Sequence, residues 1–306
     1  MNILHDFFYD NGFFGAVGMH NLMGTLSDES RAAPVAGYHV LLPAPYFYNC
    51  PSSVYEMREF ELLTAELSAR LWRRYNGPIY MLTDEIGARY VSQSGLAGSY
   101  DDVFPVLEQR NYGINFRKYW ASGKLQALMR IGTPCAIIDL DLLVWHPLEL
   151  SKYVAAAAHT EPLRPDIYPP ADFFRVDEDY SFPGEWDWTT KPLNTSIMYF
   201  SDESFKNYYA KEAIRFMQSE KETPDDGSTC MVFAEQRILA MCAAQKGILV
   251  HTFFEHEDLG SGQDWFTHIW SAKGLFRKNR QLEDTYNMLC RNKIRQLNSM
   301  DIVAKR

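Results

Sequence analysis

The stretch Cys135-Ala136-Ile137-Ile138-Asp139-Leu140-Asp141-Leu142-Leu143-Val144-Trp145 restricts the fold of this chain more than any other. A short apolar run that follows Gly132-Thr133-Pro134 reads as a strand buried on both faces of a parallel sheet. Asp139 and Asp141 then stand at its carboxyl end, the edge at which open α/β sheets bind ligands. Two acids placed inside a run of Ile, Leu and Val are expensive to bury unless something pairs with them. A chain that bends at the strand end can turn both carboxylates toward one hard divalent cation, Mn²⁺ or Mg²⁺. The plainer alternative is a strand-end turn with two solvated acids. The Asp-x-Asp of aspartyl-phosphate phosphatases is a third reading, but it wants Thr or Val two residues after the second Asp and an N-terminal position. Here Leu143 holds that place and the motif lies mid-chain.

The rest of the chain reads as alternating strands and helices, the pattern of a parallel α/β sheet. Residues 2–8 are a plausible first strand, followed by a glycine-rich excursion at Gly12, Gly15, Gly18 and Gly24. That glycine spacing is not G-x-G-x-x-G, so no dinucleotide site is expected. Residues 38–42 read as a short edge strand before Pro43 and Pro45. Residues 54–75 read as an amphipathic helix stopped by Asn76-Gly77-Pro78. A strand over 79–84, a helix over 85–94 and a short strand near Val103-Phe104 follow, then a helix over 115–130. Asp84, at a strand end, is a candidate for ribose or base contact and equally for a helix N-cap. Residues 152–192 are the least regular part, crowded with proline and with Tyr168, Phe173, Phe174, Tyr180, Phe182, Trp186 and Trp188. So long a loop is usually functional or disordered, and its rings oppose disorder. They suggest an acceptor platform or lid, or else a proline-stiffened insert whose rings only pack. A strand over 192–200, helices over 204–218 and 231–244, and a strand over 248–251 complete the reading.

Composition narrows the class. The 306 residues, 46% hydrophobic and 14% aromatic, suffice for a large core. A net charge of −9 lacks the basic excess of a nucleic-acid binder. No apolar run is long enough for a membrane span, and residues 1–14 carry Asp6 and Asp10 without Lys or Arg, unlike a signal peptide. Five cysteines without a CxxC read as reduced thiols of a cytoplasmic protein. Residues 273–306 hold nine Lys or Arg against three acids. They form either a solvated helical face or a peripheral contact with anionic lipid at the inner membrane face.

One family resemblance follows from these residues. Trp120-Ala121-Ser122-Gly123-Lys124, Lys124 to Leu128, Gly132, the run Ile137 to Trp145 and His146-Pro147-Leu148 together resemble the core of Asp-x-Asp glycosyltransferases of the GT-A superfold. The set is similar to family 8 and family 32 enzymes and to a bacterial group of the same superfold. It covers about residues 55 to 275. The resemblance implies an α/β, GT-A-like single domain over 1–306 with a mostly parallel central sheet flanked by helices and a Pro/aromatic-rich insertion. Residues 1–134 would be its nucleotide-binding half, 135–275 its metal, donor-sugar and acceptor half, and 276–306 a basic helical tail.

The same resemblance assigns roles. Leu193-Asn194-Thr195-Ser196 is similar to the family's "F-N-S-G", which makes Asn194 a candidate contact to a sugar hydroxyl; Thr195-Ser196 departs from Ser-Gly. Glu235-Gln236 resembles a helix-opening Asp-Gln pair on the donor-sugar side. His268 and Lys273 resemble a late "H-x-x-G-x-x-K" with a spacing one shorter and Ser271 for the inner Gly. By this likeness His268 completes the metal site of Asp139 and Asp141, with His251 and His256 as competitors. Lys273 and Lys124 then face the phosphates. A neutral imidazole suits Mn²⁺ better than Mg²⁺. The implied activity is transfer of a sugar from a nucleotide-diphosphate sugar, UDP-sugar first, to a hydroxyl of a glycan or glycolipid. Retention is favoured; a Glu235 acting as base would invert instead. Two alternatives stay open. A nucleotidyltransferase would want a basic Gly-rich loop after the first strand, and a catalytically inactive sugar- or nucleotide-binding module would not need both aspartates.

Overall fold

The computed structural model describes residues 18–304, apart from 28, 52, 109–112, 222, 225, 226, 261, 262 and 271. The first strand expected over residues 2–8 lies outside the described residues. The chain builds strands β1 (Ala36–Leu41), β2 (Ile79–Thr83), β3 (Asp102–Phe104), β4 (Cys135–Ile138), β5 (Leu142–Val144), β6 (Ala155–His159), β7 (Ile197–Phe200), β8 (Val250–Phe254) and β9 (Phe266–His268). The helices are α1 (Ala44–Asn49), α2 (Glu59–Tyr75), α3 (Glu85–Gln93), α4 (Ser122–Leu128), α5 (Glu203–Ser219), α6 (Thr229–Val232), α7 (Ile238–Lys246), α8 (Lys273–Phe276) and α9 (Arg280–Ala304).

Seven strands form one sheet in the order β3-β2-β1-β4-β7-β6-β8. Within it β7 runs antiparallel to both β4 and β6, and the other pairings are parallel. This is the α/β architecture expected: a mostly parallel sheet with helices on both faces. Side chains alternate across a strand, and β4 supplies both layers. Cys135 and Ile137 pack with Leu125 and Leu128 of α4, with Phe205, Tyr209 and Phe216 of α5, and with Ile238 of α7. Ala136 and Ile138 pack on the opposite face with Ala65, Ala69 and Trp72 of α2. β5 and β9 form a separate two-stranded ribbon. Because β4, β6 and β8 run the same way and β7 runs against them, the ends of β4, β6 and β8 and the start of β7 share one edge.

Several elements differ from the sequence reading. β1 is central, paired with β2 and β4, where an edge strand was expected. Its alternating pattern reflects Gly37, His39 and Leu41 buried against the α2 face. The helix expected over 115–130 is only α4; Asn115 Oδ1 accepts from Arg117 N at 3.0 Å and diverts the preceding segment into turns. The loop expected over 152–192 contains β6, whose Ala155 to Ala158 have weak strand propensity and are strand only because both faces are covered. None of the seven rings in this insertion is exposed. Phe174 and Phe182 pack on Phe216, and Trp188 stacks on Phe233 at 5.6 Å. Tyr168, Phe174, Tyr180 and Trp186 are buried and Phe173, Phe182 and Trp188 half-buried, which fits the alternative of an insert whose rings pack. Arg237, 1% exposed, donates to the Trp188 and Thr190 carbonyls and pins the insertion down.

Among the described residues, the tail packs onto the domain and several of its basic side chains are paired. Tyr286, Cys290, Ile294 and Leu297 of α9 pack on Phe60, Leu67 and Leu71 of α2. Arg277 pairs with Glu61 at 2.8 Å, Arg58 with Glu283 at 2.6 Å, and Arg291 with Glu59. No helix among the described residues is long and apolar enough to cross a membrane. Cys135, Cys230, Cys242 and Cys290 are buried free thiols, and Cys50 is exposed.

One buried group makes stability depend on pH. His39 of β1 is fully buried between Tyr100 Oη at 2.8 Å and Ser68 Oγ at 3.1 Å. Burial pushes its imidazole down from 6.5 to about 3, and a nearby Asp141 opposes this only in part. The unfolded chain takes up the proton below pH 6.5 and the folded chain does not. Stability from His39 is therefore complete above pH 6.5 and is lost as pH falls toward 3. We expect about 2 kcal/mol of destabilisation at pH 5 from this residue, on the order set by linkage. Urea unfolding of wild type and His39→Gln at pH 7.5 and 5 checks it: the variant's acid loss should be smaller.

Candidate active site

β4 ends at Ile138, and the chain turns at once. Leu142 N donates to Asp139 O at 3.0 Å, and Asp139 N donates to Ser196 O at 2.8 Å. That turn sends the next residues into β5 rather than along the main sheet. β5 pairs antiparallel with β9 in a register that sets Leu142 opposite His268, and Ile269 N reaches Asp141 O at 3.2 Å. The ribbon thus delivers His268 beside Asp141. His268 Nε2 lies 3.5 Å from Asp141 Oδ1 and 3.8 Å from Asp139 Oδ2. One donor atom from each of the three residues lies within 4.8 Å of the others.

Two lysines flank this triad. Lys124 of α4 sits 2.6 Å from Asp139 Oδ1, makes an ion pair with Glu235, and donates to Thr195 O at 3.3 Å. Lys273, at the start of α8, sits 2.8 Å from Asp141 Oδ2. Burial alone would raise the Asp141 carboxyl; Lys273 and His268 outweigh it and hold it well below the usual carboxylate range. Burial likewise works against the Lys124 charge, and Asp139 with Glu235 keeps it protonated. Glu235 is 3% exposed, and burial pushes its carboxyl up against the pull of Lys124.

Glu235 reaches Lys124 through a local irregularity. Phe233–Arg237 form a π-helical turn between α6 and α7. Such turns rotate side chains out of the α-helical register and are frequent at functional sites. The sequence reading placed a continuous helix here. Gln236, next along, points elsewhere: its Oε1 accepts from Tyr168 Oη at 2.5 Å.

A divalent cation fits the triad. Two carboxylates and one imidazole are a donor set for Mn²⁺. His268 Nε2 is a buried atom with no hydrogen-bond partner among the described residues, which is what a ligand nitrogen awaiting an ion looks like. Mg²⁺, which favours an all-oxygen shell, fits less well.

The site therefore assembles Asp139, Asp141, His268, Lys124, Lys273 and Glu235. Asn194 shares the sheet edge, but both ends of its amide are used: Nδ2 donates to Glu161 Oε1 at 2.9 Å, and Oδ1 accepts from Ser196 N at 3.1 Å. Asp84 is 1% exposed and caps α3 by accepting from Gly87 N at 2.7 Å, the second of its two candidate roles. Of the competing histidines, His251 stacks on Tyr153 at 3.8 Å, and His256 joins a different cluster.

A cleft of about 410 Å³ opens beside the triad. Asp141 and Lys273 line it together with Leu42, Tyr46, Tyr55, Glu56, Met57, Arg58, Glu61, Leu140, Ile269 and Arg277. The sequence reading missed this wall. The aromatic run around Tyr46 to Tyr48, at a strand end, was its only visible sign.

No protein-family model matches the chain, and no curated protein matches it significantly. Among solved structures it is similar to the glycosyltransferase GlyE of Streptococcus pneumoniae TIGR4, at 14% identity and a TM-score of 0.34 over 66% of this chain and 43% of that one. The alignment thus spans less than half of that enzyme's length. Mouse xyloside xylosyltransferase 1 aligns at 12% identity and TM-score 0.38 over 72% of this chain and 85% of that one. The inositol-1-phosphate CTP transferase of T. maritima aligns at 11% identity and TM-score 0.34 over 74% and 86%. At such scores the functional reading rests on the residues of the site.

Proposed function

We propose that the chain is a metal-dependent glycosyltransferase that moves a sugar from a nucleotide-diphosphate sugar, a UDP-sugar foremost, to a hydroxyl of a glycan or glycolipid acceptor. The observation that carries the reading is the meeting of Asp139, Asp141 and His268, with Lys273 paired to Asp141, beside a cleft that Asp141 and Lys273 line. When bound, a divalent ion supplies Lewis-acid stabilisation of the charge that builds on the departing diphosphate. With His268 neutral, the three carboxylates and two ammoniums leave a single negative charge, which a divalent cation turns positive. That favours a diphosphate over a neutral ligand. Lys273, at the cleft wall, is the side chain placed to meet phosphate oxygens, and Tyr46 and Tyr55 line the same cleft. Lys124 is a buried counter-ion rather than a phosphate ligand, since it is 8% exposed and held by two carboxylates.

The Lys124–Glu235 ion pair also bears on stereochemistry. A carboxylate committed to an ammonium is a poor general base toward an acceptor. This supports retention, with Glu235 lying on the donor-sugar side. The cleft draws Leu42 and Tyr55 from 1–134, Asp141 and Lys273 from 135–275, and Arg277 from 276–306, so we treat the chain as one functional domain.

Thermal shift with UDP, GDP and a panel of nucleotide-sugars, with and without Mn²⁺, tests the reading. A ligand at a hundredfold its Kd adds about 2.7 kcal/mol to the folded state. We expect a rise in Tm that requires Mn²⁺ and favours uridine nucleotides. If no nucleotide shifts Tm, the transferase reading fails. Pyrophosphate release from a nucleoside triphosphate would assign nucleotidyl transfer instead.

A further inference from the structure

A second group of ligand-type side chains lies on the same sheet edge, apart from the Asp139 triad. His159 ends β6, Glu161 follows two residues on, and His256 comes just after β8. β6 and β8 run parallel with His159 opposite Phe254, so the two chain ends leave the sheet side by side. Glu161 Oε2 is 3.0 Å from His256 Nδ1, and Glu161 Oε1 is 3.8 Å from His159 Nε2. One donor atom from each residue falls within 4.8 Å of the others.

Hydrogen bonding fixes the state of one ring. His159 Nδ1 is 2.9 Å from the Thr160 carbonyl oxygen. A carbonyl oxygen only accepts, so in the neutral ring Nδ1 carries the proton and Nε2 is a bare lone pair. Two acceptors, Nε2 and a carboxylate oxygen, therefore face each other in a site where the His159 side chain is 7% exposed and that of Glu161 is 18%. That arrangement suits a positive centre between them. It is also how ligating histidines are held: one nitrogen bonded to a backbone carbonyl, the other left for an ion. Asn194 steadies the carboxylate from outside through its bond to Glu161 Oε1.

We propose that His159, Glu161 and His256 form a second cation site, separate from Asp139–Asp141–His268, which takes a divalent ion of the Zn²⁺ class. Two imidazoles and one carboxylate are a zinc donor set, and three protein ligands leave a fourth position for a water or a substrate hydroxyl. Hard Mg²⁺ or Ca²⁺ would want more oxygen ligands. A short relay joins the two sites: Glu161 to Asn194, Asn194 to Ser196, and Ser196 to Asp139. The site owes nothing to the transferase reading, because its ligands are defined without a nucleotide.

The test is metal binding by the full chain with no nucleotide present. Equilibrium dialysis against Zn²⁺ should find two ions per wild-type chain and one per chain of Asp139→Asn/Asp141→Asn. Co²⁺ added to that double variant should give visible d–d absorption that Zn²⁺ bleaches. Glu161→Gln and His256→Ala should each weaken the remaining site by at least about tenfold. His256 is partly exposed, so its replacement leaves folding least disturbed, and a thermal melt verifies this. No ion bound by the Asp139→Asn/Asp141→Asn chain, or binding by that chain indifferent to both Glu161→Gln and His256→Ala, overturns the proposal. A chain that binds two ions but no nucleotide would keep this site while removing the transferase reading.

Discussion

Asp141→Asn is expected to abolish the Mn²⁺-dependent response to nucleotide while leaving the fold intact. Asp141 is 8% exposed, pairs with Lys273 at 2.8 Å, and faces His268 at 3.5 Å. Asparagine keeps the shape and removes the charge, so the triad loses one of its two anionic ligands. Lys273, whose side chain is 32% exposed, can turn to solvent when its partner is neutralised, which limits the structural damage. The electrostatic loss falls where charge develops during reaction. Removing one such group commonly costs about 10² to 10³ in turnover. Nucleotide-sugar turnover with Mn²⁺, measured beside the melting curve, checks both halves. Wild-type-like turnover in the variant would show that the triad is not the reacting centre. A collapse of Tm would show instead that Asp141 is chiefly structural.

Lys124→Met should be the most destabilising change at the site. Lys124 neutralises Asp139 and Glu235 at once, and it is 8% exposed. Methionine fills the same space but leaves the 3%-exposed Glu235 with a buried charge and no counter-ion. Breaking one side of a buried pair typically costs about 3–5 kcal/mol, while replacing both sides by apolar groups is often near neutral. Lys124→Met/Glu235→Leu should therefore regain most of the stability lost by Lys124→Met alone. If Glu235 belongs to the donor-sugar side, the double variant should stay inactive despite its recovered fold. Denaturant unfolding of the wild type, both single variants and the double variant measures the coupling. No recovery in the double variant would mean that the pair does not act as a unit.

The same residues explain what was legible beforehand. Asp139 and Asp141 stood out because charge inside an apolar run is costly, whatever the fold around it. The strand Cys135–Ile138 was legible for a related reason: a strand buried on both faces must be apolar throughout. β6 was not legible, since an alanine run carries little strand signal and becomes strand only between β7 and β8. The rings of residues 152–192 were visible, but their direction was not. A sequence gives aromatic content without saying whether a ring meets solvent or Phe233. The π turn at Phe233–Arg237 had no local signature, because the residues on either side are ordinary helix formers.

By itself, then, the sequence determined the alternation that makes an α/β sheet and the place along the chain where a charged edge must fall. Those are properties of neighbours in the chain, set by burial pattern and turn chemistry. Only the tertiary structure decided which charges meet. The β5–β9 ribbon brings His268 to Asp141, α4 brings Lys124 to both Asp139 and Glu235, and parallel β6 and β8 bring His159 and Glu161 to His256. The meetings with His268, Glu235 and His256 join residues far apart in the chain through strand register and helix packing. The energy that holds them together comes from burial of the whole sheet, not from any local pattern the residues carry.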